Sequence, residues 1–195
     1  MNRKRPLPSR PLPKCTSIAQ TAPWASADVD LETPATSVMT DLTQIKAATI
    51  APEIPLRQVE AYMSLLGVHM LFVVDEAPYI AGLITSTDLH GGRPQQAQSR
   101  TGSRYDDLLV RDVMTSRDEI DAIDLLELQG ARVTNVVATL KERGRNHLLV
   151  IDSVPGASTR VRGVISRSQV ERQLGESIDV VDMACCFASM VRMLA

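Results

Sequence analysis

Two short stretches, Leu71-Phe72-Val73-Val74-Asp75 and Gly82-Leu83-Ile84-Thr85, decide the fold because both recur later in the chain. The first returns 77 residues on as Leu148–Asp152 (L-L-V-I-D), and the second returns 81 residues on as Gly163–Ser166 (G-V-I-S). Each stretch is short, apolar and rich in β-branched residues, as buried strands are. The sequence therefore predicts two copies of one strand-forming unit.

Two further blocks repeat in the same order around these strands. Ser37–Thr40 (S-V-M-T) returns as Asp112–Thr115 (D-V-M-T), 75 residues on. The other block has apolar residues at spacings of three and four, which places them on one face of a helix, and it ends in a glycine where a left-handed helix stop is expected. Its members are Leu56, Val59, Met63 and Gly67 in the first copy and Val133, Val136, Leu140 and Gly144 in the second.

Each copy therefore has the pattern strand, helix, strand, strand, helix. The pattern becomes helical again after Thr85 in the first copy and after Ser166 in the second. One copy is too small to cover both faces of its own sheet, so we expect the two copies to pack together. The sequence predicts an α/β fold made of two packed β-α-β-β-α units.

The predicted boundaries follow the repeat. Residues 1–35 form a basic, proline-rich tail, 36–92 the first unit, 93–107 a polar linker, 108–175 the second unit and 176–195 an extension. The tail lacks the apolar stretch of a signal peptide, and we expect it to be disordered. It is either a solvated tail or a ligand for a peptide-binding domain or an anionic surface.

The extension after Gly175 is amphipathic. Its apolar side chains recur at helical spacing, and no basic stripe flanks them as in a membrane-surface helix. We expect this face to dock on the body of the protein or on a dimer partner. The face consists of Met183, Phe187, Met190 and Leu194.

Composition argues against several classes of function. The net charge of −2 gives no large field to attract nucleic acid, and the aromatic content of 3% is low for single-strand binding. No apolar run reaches the roughly 20 residues of a membrane span. Cys15, Cys185 and Cys186 show no paired spacing, so we interpret the last two as small apolar residues in a reducing cytoplasm, with a redox role as the alternative.

Motifs for metal binding and catalysis are missing as well. His69, His90 and His147 have no metal-ligand spacing, and the sequence has neither a G-x-S-x-G elbow nor a phosphate loop with its lysine. We expect a non-enzymatic protein with no metal.

The segment Gly82–Asp88 (G-L-I-T-S-T-D) carries the chemistry of the first copy. Thr85 and Asp88 have the spacing of a helix-capping pair, in which each side chain bonds the other's backbone amide. The same two groups suit a nucleotide, because the hydroxyl can donate to a phosphate and the carboxylate can accept from a ribose. Capping and binding are compatible, and both interpretations stand at this stage.

Two units of this pattern, each with a V-M-T opening and a G-Φ-Φ-[ST]-x-x-[D] close, resemble a tandem pair of cystathionine-β-synthase-type (CBS) domains, a Bateman module. The resemblance covers about Val38 to Leu174. It implies two CBS units packed with pseudo-twofold symmetry, disc-like homodimers and a cleft between the sheets for AMP, ADP, ATP or S-adenosylmethionine. It implies a regulatory sensor in signal transduction, with the nucleotide as regulatory ligand and no required cofactor.

The resemblance also implies site residues. Thr85 would contact phosphate and Asp88 the ribose. The adenine would lie between the A-T-I-A-P stretch before the first helix and the residues that enter the buried strand. These two walls consist of Thr49, Ile50 and Ala51, and of Val68, His69 and Met70.

The second copy departs from the pattern. Ser166 keeps the hydroxyl, but Gln169 replaces the acid, and A-T-I-A-P has no clear counterpart before the second helix. An amide accepts hydrogen bonds more weakly than a carboxylate, so we expect a weak or empty second site at Ser166, Gln169, Asn146 and His147. The alternative to a nucleotide sensor is a structural dimerisation or scaffold module with vestigial clefts.

Overall fold

A computed structural model describes residues 29–75, 79–153 and 158–178. The strands of this part are β1 (Thr40–Asp41), β2 (Thr49–Ile50), β3 (Met70–Val74), β4 (Ile80–Thr85), β5 (Thr115–Ser116), β6 (Ala122–Asp124), β7 (His147–Asp152) and β8 (Arg160–Ser166). The helices are α1 (Leu56–Leu66), α2 (Ser86–His90), α3 (Arg93–Thr101), α4 (Val110–Val113), α5 (Leu125–Gly130), α6 (Val133–Arg143) and α7 (Arg167–Leu174).

The strands form two four-stranded sheets with the same pairing. One has the order β2-β3-β4-β5 and the other β6-β7-β8-β1; in each, the first pair is parallel and the next two are antiparallel. The central hairpins even share an irregularity, with a register shift between Val73 and Val74 and another between Val150 and Ile151. The prediction of two repeated β-α-β-β-α units with pseudo-twofold symmetry is therefore confirmed.

Each sheet is closed by a strand from the other copy. The V-M-T segment that opens the first copy supplies β1, which pairs with β8 of the second, and the segment opening the second copy supplies β5, which pairs with β4. The predicted boundary at residue 36 therefore falls before a strand that belongs to the second sheet. Sequence similarity places this segment at the start of a unit but does not show which sheet it joins.

Two glycines allow this exchange. A Cβ on Gly163 would lie 2.5 Å from the Met39 sulfur, and a Cβ on Gly82 would lie 3.0 Å from the Met114 sulfur and overlap the Thr115 carbonyl oxygen. Only a residue without a side chain lets the crossing strand approach this closely. The glycine of each G-Φ-Φ-[ST] motif is thus the structural complement of the other copy's V-M-T segment.

Three apolar clusters hold the two units together. Each unit packs its helices on the outer face of its sheet, burying for example Val59 and Leu71 in the first and Val136 and Leu148 in the second. The inner faces of the sheets meet in a third cluster. That cluster consists of two equivalent pairs, Phe72 with Leu149 and Leu83 with Val164.

The helix ends follow the sequence prediction. The long helices α1 and α6 both stop at a left-handed glycine, Gly67 at φ 64° and Gly144 at φ 60°. Their amides bond back to carbonyls of the last helical turn, which closes the helix as a glycine C-cap does.

The described residues depart from the predicted boundaries in two places. The end of the predicted tail, residues 29–35, packs on the second unit: Val29 is buried in its core, and the carbonyls of Leu31 and Thr33 accept from the first amides of α6. The predicted linker at 93–107 contains α3, whose Ala97 is buried in the first core. One small apolar residue among polar neighbours gives too little periodicity to predict that helix.

Residues 1–28 and 179–195 lie outside the described part of the chain, together with the three cysteines and the apolar face predicted after Gly175. Within the described ranges, no helix is both long and apolar enough to cross a bilayer.

We predict that Gly82→Ala and Gly163→Ala each lower the free energy of unfolding by about 1–3 kcal/mol, because the added methyl forces the exchanged strand away from its partner. Urea unfolding measures the change. Gly130→Ala is the matched control: it lies at the end of α5, where an added Cβ meets nothing within 4 Å, so alanine should be neutral or slightly stabilising. A Gly82→Ala protein as stable as the wild type would contradict this account.

Candidate functional site

The largest cavity described lies where the two units meet. Its volume is about 690 Å³, within the range of small-molecule sites. The first unit contributes the end of β4 and the start of α2, including Thr85 and Asp88, and the second contributes the residues that lead into β7, including Asn146 and His147. Residues predicted for two separate sites therefore share one cavity.

Thr85 and Asp88 form a complete capping box at the start of α2. The Thr85 amide and hydroxyl both donate to Asp88 Oδ2, at 2.8 and 2.7 Å, and the Asp88 amide donates to the Thr85 hydroxyl at 3.2 Å. The capping interpretation of this motif is confirmed. It fixes both side chains at the cavity wall.

The second oxygen of Asp88 contacts a cation. Asp88 Oδ1 lies 3.2 Å from Arg93 Nε, and the Asp88 side chain is only 13% exposed. Arg93 also donates to the Val113 and Met114 carbonyls, at 3.4 and 3.1 Å. One arginine thus links the first motif to the segment that crosses between the sheets.

Helix α3 forms a second wall that the sequence analysis did not predict. Arg93, Gln96, Ala97 and Arg100 line the cavity at helical spacing along one face of this helix. Arg100 donates to the Asp112 carbonyl at 3.1 Å. The spacing was visible in the sequence, but three of the four residues are polar, so an apolar periodicity does not reveal the face.

From the second unit, Arg145 reaches across the same cavity. It donates to the Glu119 carbonyl at 3.2 Å. The lining holds four arginines, Arg93, Arg100, Arg111 and Arg145, and four acids, Asp88, Asp112, Glu119 and Asp121. The cavity is thus densely charged but balanced in sign.

His147 lies at the inner wall, at the start of β7. Burial lowers the pKa of its imidazole from 6.5 to about 4, since burial disfavours the charged form; the carboxylate of Asp88 opposes the shift, while His69 and Arg167 add to it. The ring is therefore neutral at physiological pH and can donate one hydrogen bond and accept another.

The residues predicted to surround an adenine in the first copy lie apart from this cavity. Thr49 and Ile50 form β2, with Ile50 buried in the first core, and Ala51 follows them. Val68 packs against the first core and Met70 against the inter-sheet cluster. His69 is exposed, and its carbonyl accepts from the Ser86 amide at 2.9 Å.

The second-copy motif is built differently. Gln169 is 9% exposed, and its Oε1 accepts from the Thr40 hydroxyl at 3.3 Å. Ser166 makes no capping bond to α7, so the prediction that Ser166 and Gln169 form a capping pair is wrong. The Ser166 hydroxyl bonds to Ser168 instead, at 2.9 Å. The glutamine side chain serves the exchanged strand β1.

The second copy does have a counterpart of A-T-I-A-P, contrary to the sequence analysis. Strand β6 pairs in parallel with β7 as β2 does with β3: Ala122 is opposite Leu149, and Thr49 is opposite Phe72. The helix α5 is inserted between β6 and α6, which obscures the match in the sequence.

A smaller cavity of about 350 Å³ lies beside β1 and α5. Arg162 in its wall holds both oxygens of Asp41, at 3.0 and 2.6 Å. Burial by itself would raise the pKa of Asp41, but hydrogen bonds from Arg162 and Thr43 outweigh it and lower the pKa. Within residues 29–75, 79–153 and 158–178, no three His, Cys, Asp or Glu side chains converge as metal ligands.

Comparison with protein-family models and with curated proteins gave no match. Among solved structures, an uncharacterised conserved protein from Pyrococcus horikoshii aligns with a TM-score of 0.54 at 17% identity, over 78% of this chain and 100% of its own. The CBS domain of the bacterial CNNM/CorC family Mg²⁺ transporter aligns with a TM-score of 0.51 at 18% identity, over 76% of this chain and 80% of its own. The same kind of domain in complex with ATP gives 0.51 at 16% identity, over 76% and 91%. The chain has the fold of a CBS-domain pair.

We predict that His147 makes stability depend on pH. Because its pKa falls from 6.5 to about 4 on folding, the unfolded chain binds a proton in this interval that the folded chain does not. The contribution of the neutral ring is complete above pH 6.5 and is lost as the pH falls toward 4. Between about pH 7 and 5, wild type should lose roughly 1 kcal/mol more than His147→Gln in urea unfolding.

His90→Gln is the control. The Ser86 carbonyl and the charge of Glu60 raise the pKa of this exposed histidine, so its effect on stability has the opposite sign. The His90→Gln protein should retain the loss on acidification. Equal pH profiles for wild type and His147→Gln would contradict the assignment of a neutral, buried ring.

Proposed function

Because the chain folds as a CBS-domain pair, we propose that it is a non-enzymatic regulatory module that binds an adenosine nucleotide in the cavity between its two units. One observation carries the proposal: a cavity of about 690 Å³ joins the Thr85–Asp88 motif of the first unit to Asn146 and His147 of the second. A structure of similar fold, the CBS domain of a bacterial Mg²⁺ transporter, is described in complex with ATP.

The ribose belongs at Asp88 in this proposal. Its Oδ2 is occupied by the capping box, whereas Oδ1 contacts only Arg93 among the hydrogen bonds and ion pairs described for it. A ribose hydroxyl would donate to Oδ1 in place of that contact. The displaced Arg93 guanidinium would then be available to a phosphate, and a charge-assisted bond of this kind is stronger than a neutral one.

The phosphates belong near the arginines of the cavity. Arg93 and Arg100 come from α3 and Arg145 from the second unit, so a phosphate chain would meet cations from both sides. Binding would thereby connect the two units directly. We propose that this connection changes how the inner sheet faces pack and so presents a different surface to a protein partner.

A scaffold without ligand is the second candidate, and one observation favours it. Asp88 is satisfied within the protein, by Thr85 on one oxygen and Arg93 on the other. A carboxylate that serves only to cap α2 and hold Arg93 requires no nucleotide. The two functions differ in whether a ligand binds.

We predict that at least one of AMP, ADP, ATP and S-adenosylmethionine binds in calorimetry. At a hundred times its dissociation constant it should raise the free energy of unfolding by about 2.7 kcal/mol. Asp88→Asn should weaken binding by about 10- to 150-fold, because charge-assisted bonds contribute roughly 1.5–3 kcal/mol. Asp124→Asn, which alters an equivalent cap on α5 outside the cavity, should bind as wild type does.

If none of the four compounds binds, the scaffold function is correct. Equal binding by wild type and Asp88→Asn would place the site elsewhere, and turnover of a bound nucleotide would contradict a non-enzymatic role.

A second variant tests whether the second unit takes part. We predict that Arg145→Gln weakens ATP binding by at least fivefold, about 1 kcal/mol, and leaves adenosine binding unchanged, because Arg145 is proposed to meet the phosphates. Arg132→Gln is the control, since Arg132 also donates to a backbone carbonyl, that of Glu32, but lies outside the cavity. If Arg145→Gln weakens ATP and adenosine equally, Arg145 does not contact the phosphates.

A further inference from the structure

The outer face of α1 is apolar although it faces solvent. Leu65 is 80% exposed at the centre of this face, and Tyr62 and Leu66 beside it are 40% and 43% exposed. The inner face of the helix is buried normally by Leu56, Val59 and Met63. A contiguous exposed patch of large apolar side chains marks a surface that another molecule covers.

The second unit provides an internal comparison. Helix α6 occupies the equivalent position, has the same length and buries equivalent residues. At the repeat offset of 77, its counterparts of Tyr62, Leu65 and Leu66 are the polar residues Thr139, Glu142 and Arg143. The fold therefore does not require an apolar outer face, and only the first unit has one.

We propose that this patch joins two copies of the chain, first unit to first unit, about a twofold axis that passes beside Leu65. Such an interface is isologous, so the same face must be complementary to itself. An apolar patch meets this condition directly, since each copy covers the Tyr62, Leu65 and Leu66 side chains of the other. The polar outer face of α6 takes no part.

The charges of α1 suit an antiparallel partner. No acidic residue lies in the first turn and no basic residue in the last, so the helix dipole is uncompensated within α1. Arg57, exposed in the first turn, is unfavourable there. A twofold axis near Leu65 makes the two helices antiparallel and brings Arg57 of each toward the carboxyl end of the other, where a cation is favourable.

The chain's own carboxyl-terminal segment is a poorer occupant. The described chain ends at Ile178, which is buried in the core of the second unit. To reach the outer face of α1, residues 179–195 must first pass two packed sheets and a helix, roughly 30 Å. As a helix the 17 residues of this segment span only about 26 Å. An extended crossing leaves too few residues to present Met183, Phe187, Met190 and Leu194 as one face.

The amino-terminal tail is a poorer occupant as well. It is longer, but its large apolar residues stand five or six positions apart, which forms a face on neither a helix nor a strand. These residues are Leu7, Leu12, Ile18 and Trp24.

Light scattering after size-exclusion chromatography of the full chain tests the proposal. Wild type should elute as a dimer and Leu65→Glu as a monomer, with an apparent mass lower by half. Leu126→Glu is the matched control, because Leu126 is a similarly exposed leucine, at 75%, on α5 of the second unit; it should remain a dimer. Thermal melts establish that both variants fold.

Three results would overturn the proposal. A monomeric wild type at tens of micromolar would leave the patch to a different partner. A dimeric Leu65→Glu protein would place the interface elsewhere. A Phe187→Glu protein that becomes a monomer would show that the carboxyl-terminal segment holds the copies together; the proposal predicts that Phe187→Glu stays dimeric. None of these results depends on nucleotide binding.

Discussion

The close approach of an exchanged strand to a bare glycine governs this structure. Gly82 lies against Met114 and Thr115, and Gly163 lies against Met39 and its neighbour Thr40. Because each crossing strand belongs by sequence to the opposite copy, neither sheet is complete without the other unit. The two units are therefore one folding body, and the packing of Phe72 and Leu83 on Leu149 and Val164 follows from the exchange.

The cavity is a direct consequence of that crossing. After β5 the chain turns through residues 117–121 on its way to the second sheet, and this turn closes the space between the first motif and the start of β7. Arginines from both units, Arg93 and Arg145, donate to its carbonyls. A ligand in this space would touch the turn and both units, so any change it makes there reaches the contact between the sheets.

Much of the fold follows from the repeat alone. Periodicity identifies α1 and α6, their glycine stops and the central hairpins, since each local preference agrees with its tertiary environment. The strand exchange does not follow, because similarity between copies shows that Ser37–Thr40 and Asp112–Thr115 are equivalent but not which sheet each completes. Helix α3 is missed for a related reason, since its only buried apolar side chain is Ala97.

The candidate site was predictable in part. The capping geometry of Thr85 and Asp88 follows from their spacing, because a capping box is a local structure. The meeting of these residues with Asn146 and His147 depends on how the two units pack, which spacing does not determine. The different fates of Asp88 and Gln169 have the same origin: the acid contacts Arg93 of α3, whereas the amide contacts Thr40 of the exchanged strand.

The central claim is that the space between the units takes an adenosine nucleotide, and a crystal structure of the chain grown with saturating ATP tests it most directly. The account predicts density for the ribose beside Asp88 and for phosphates beside Arg93 and Arg145, with the Arg93–Asp88 contact broken. An empty cavity with that contact intact, or a nucleotide bound instead at Ser166 and Gln169, would contradict it.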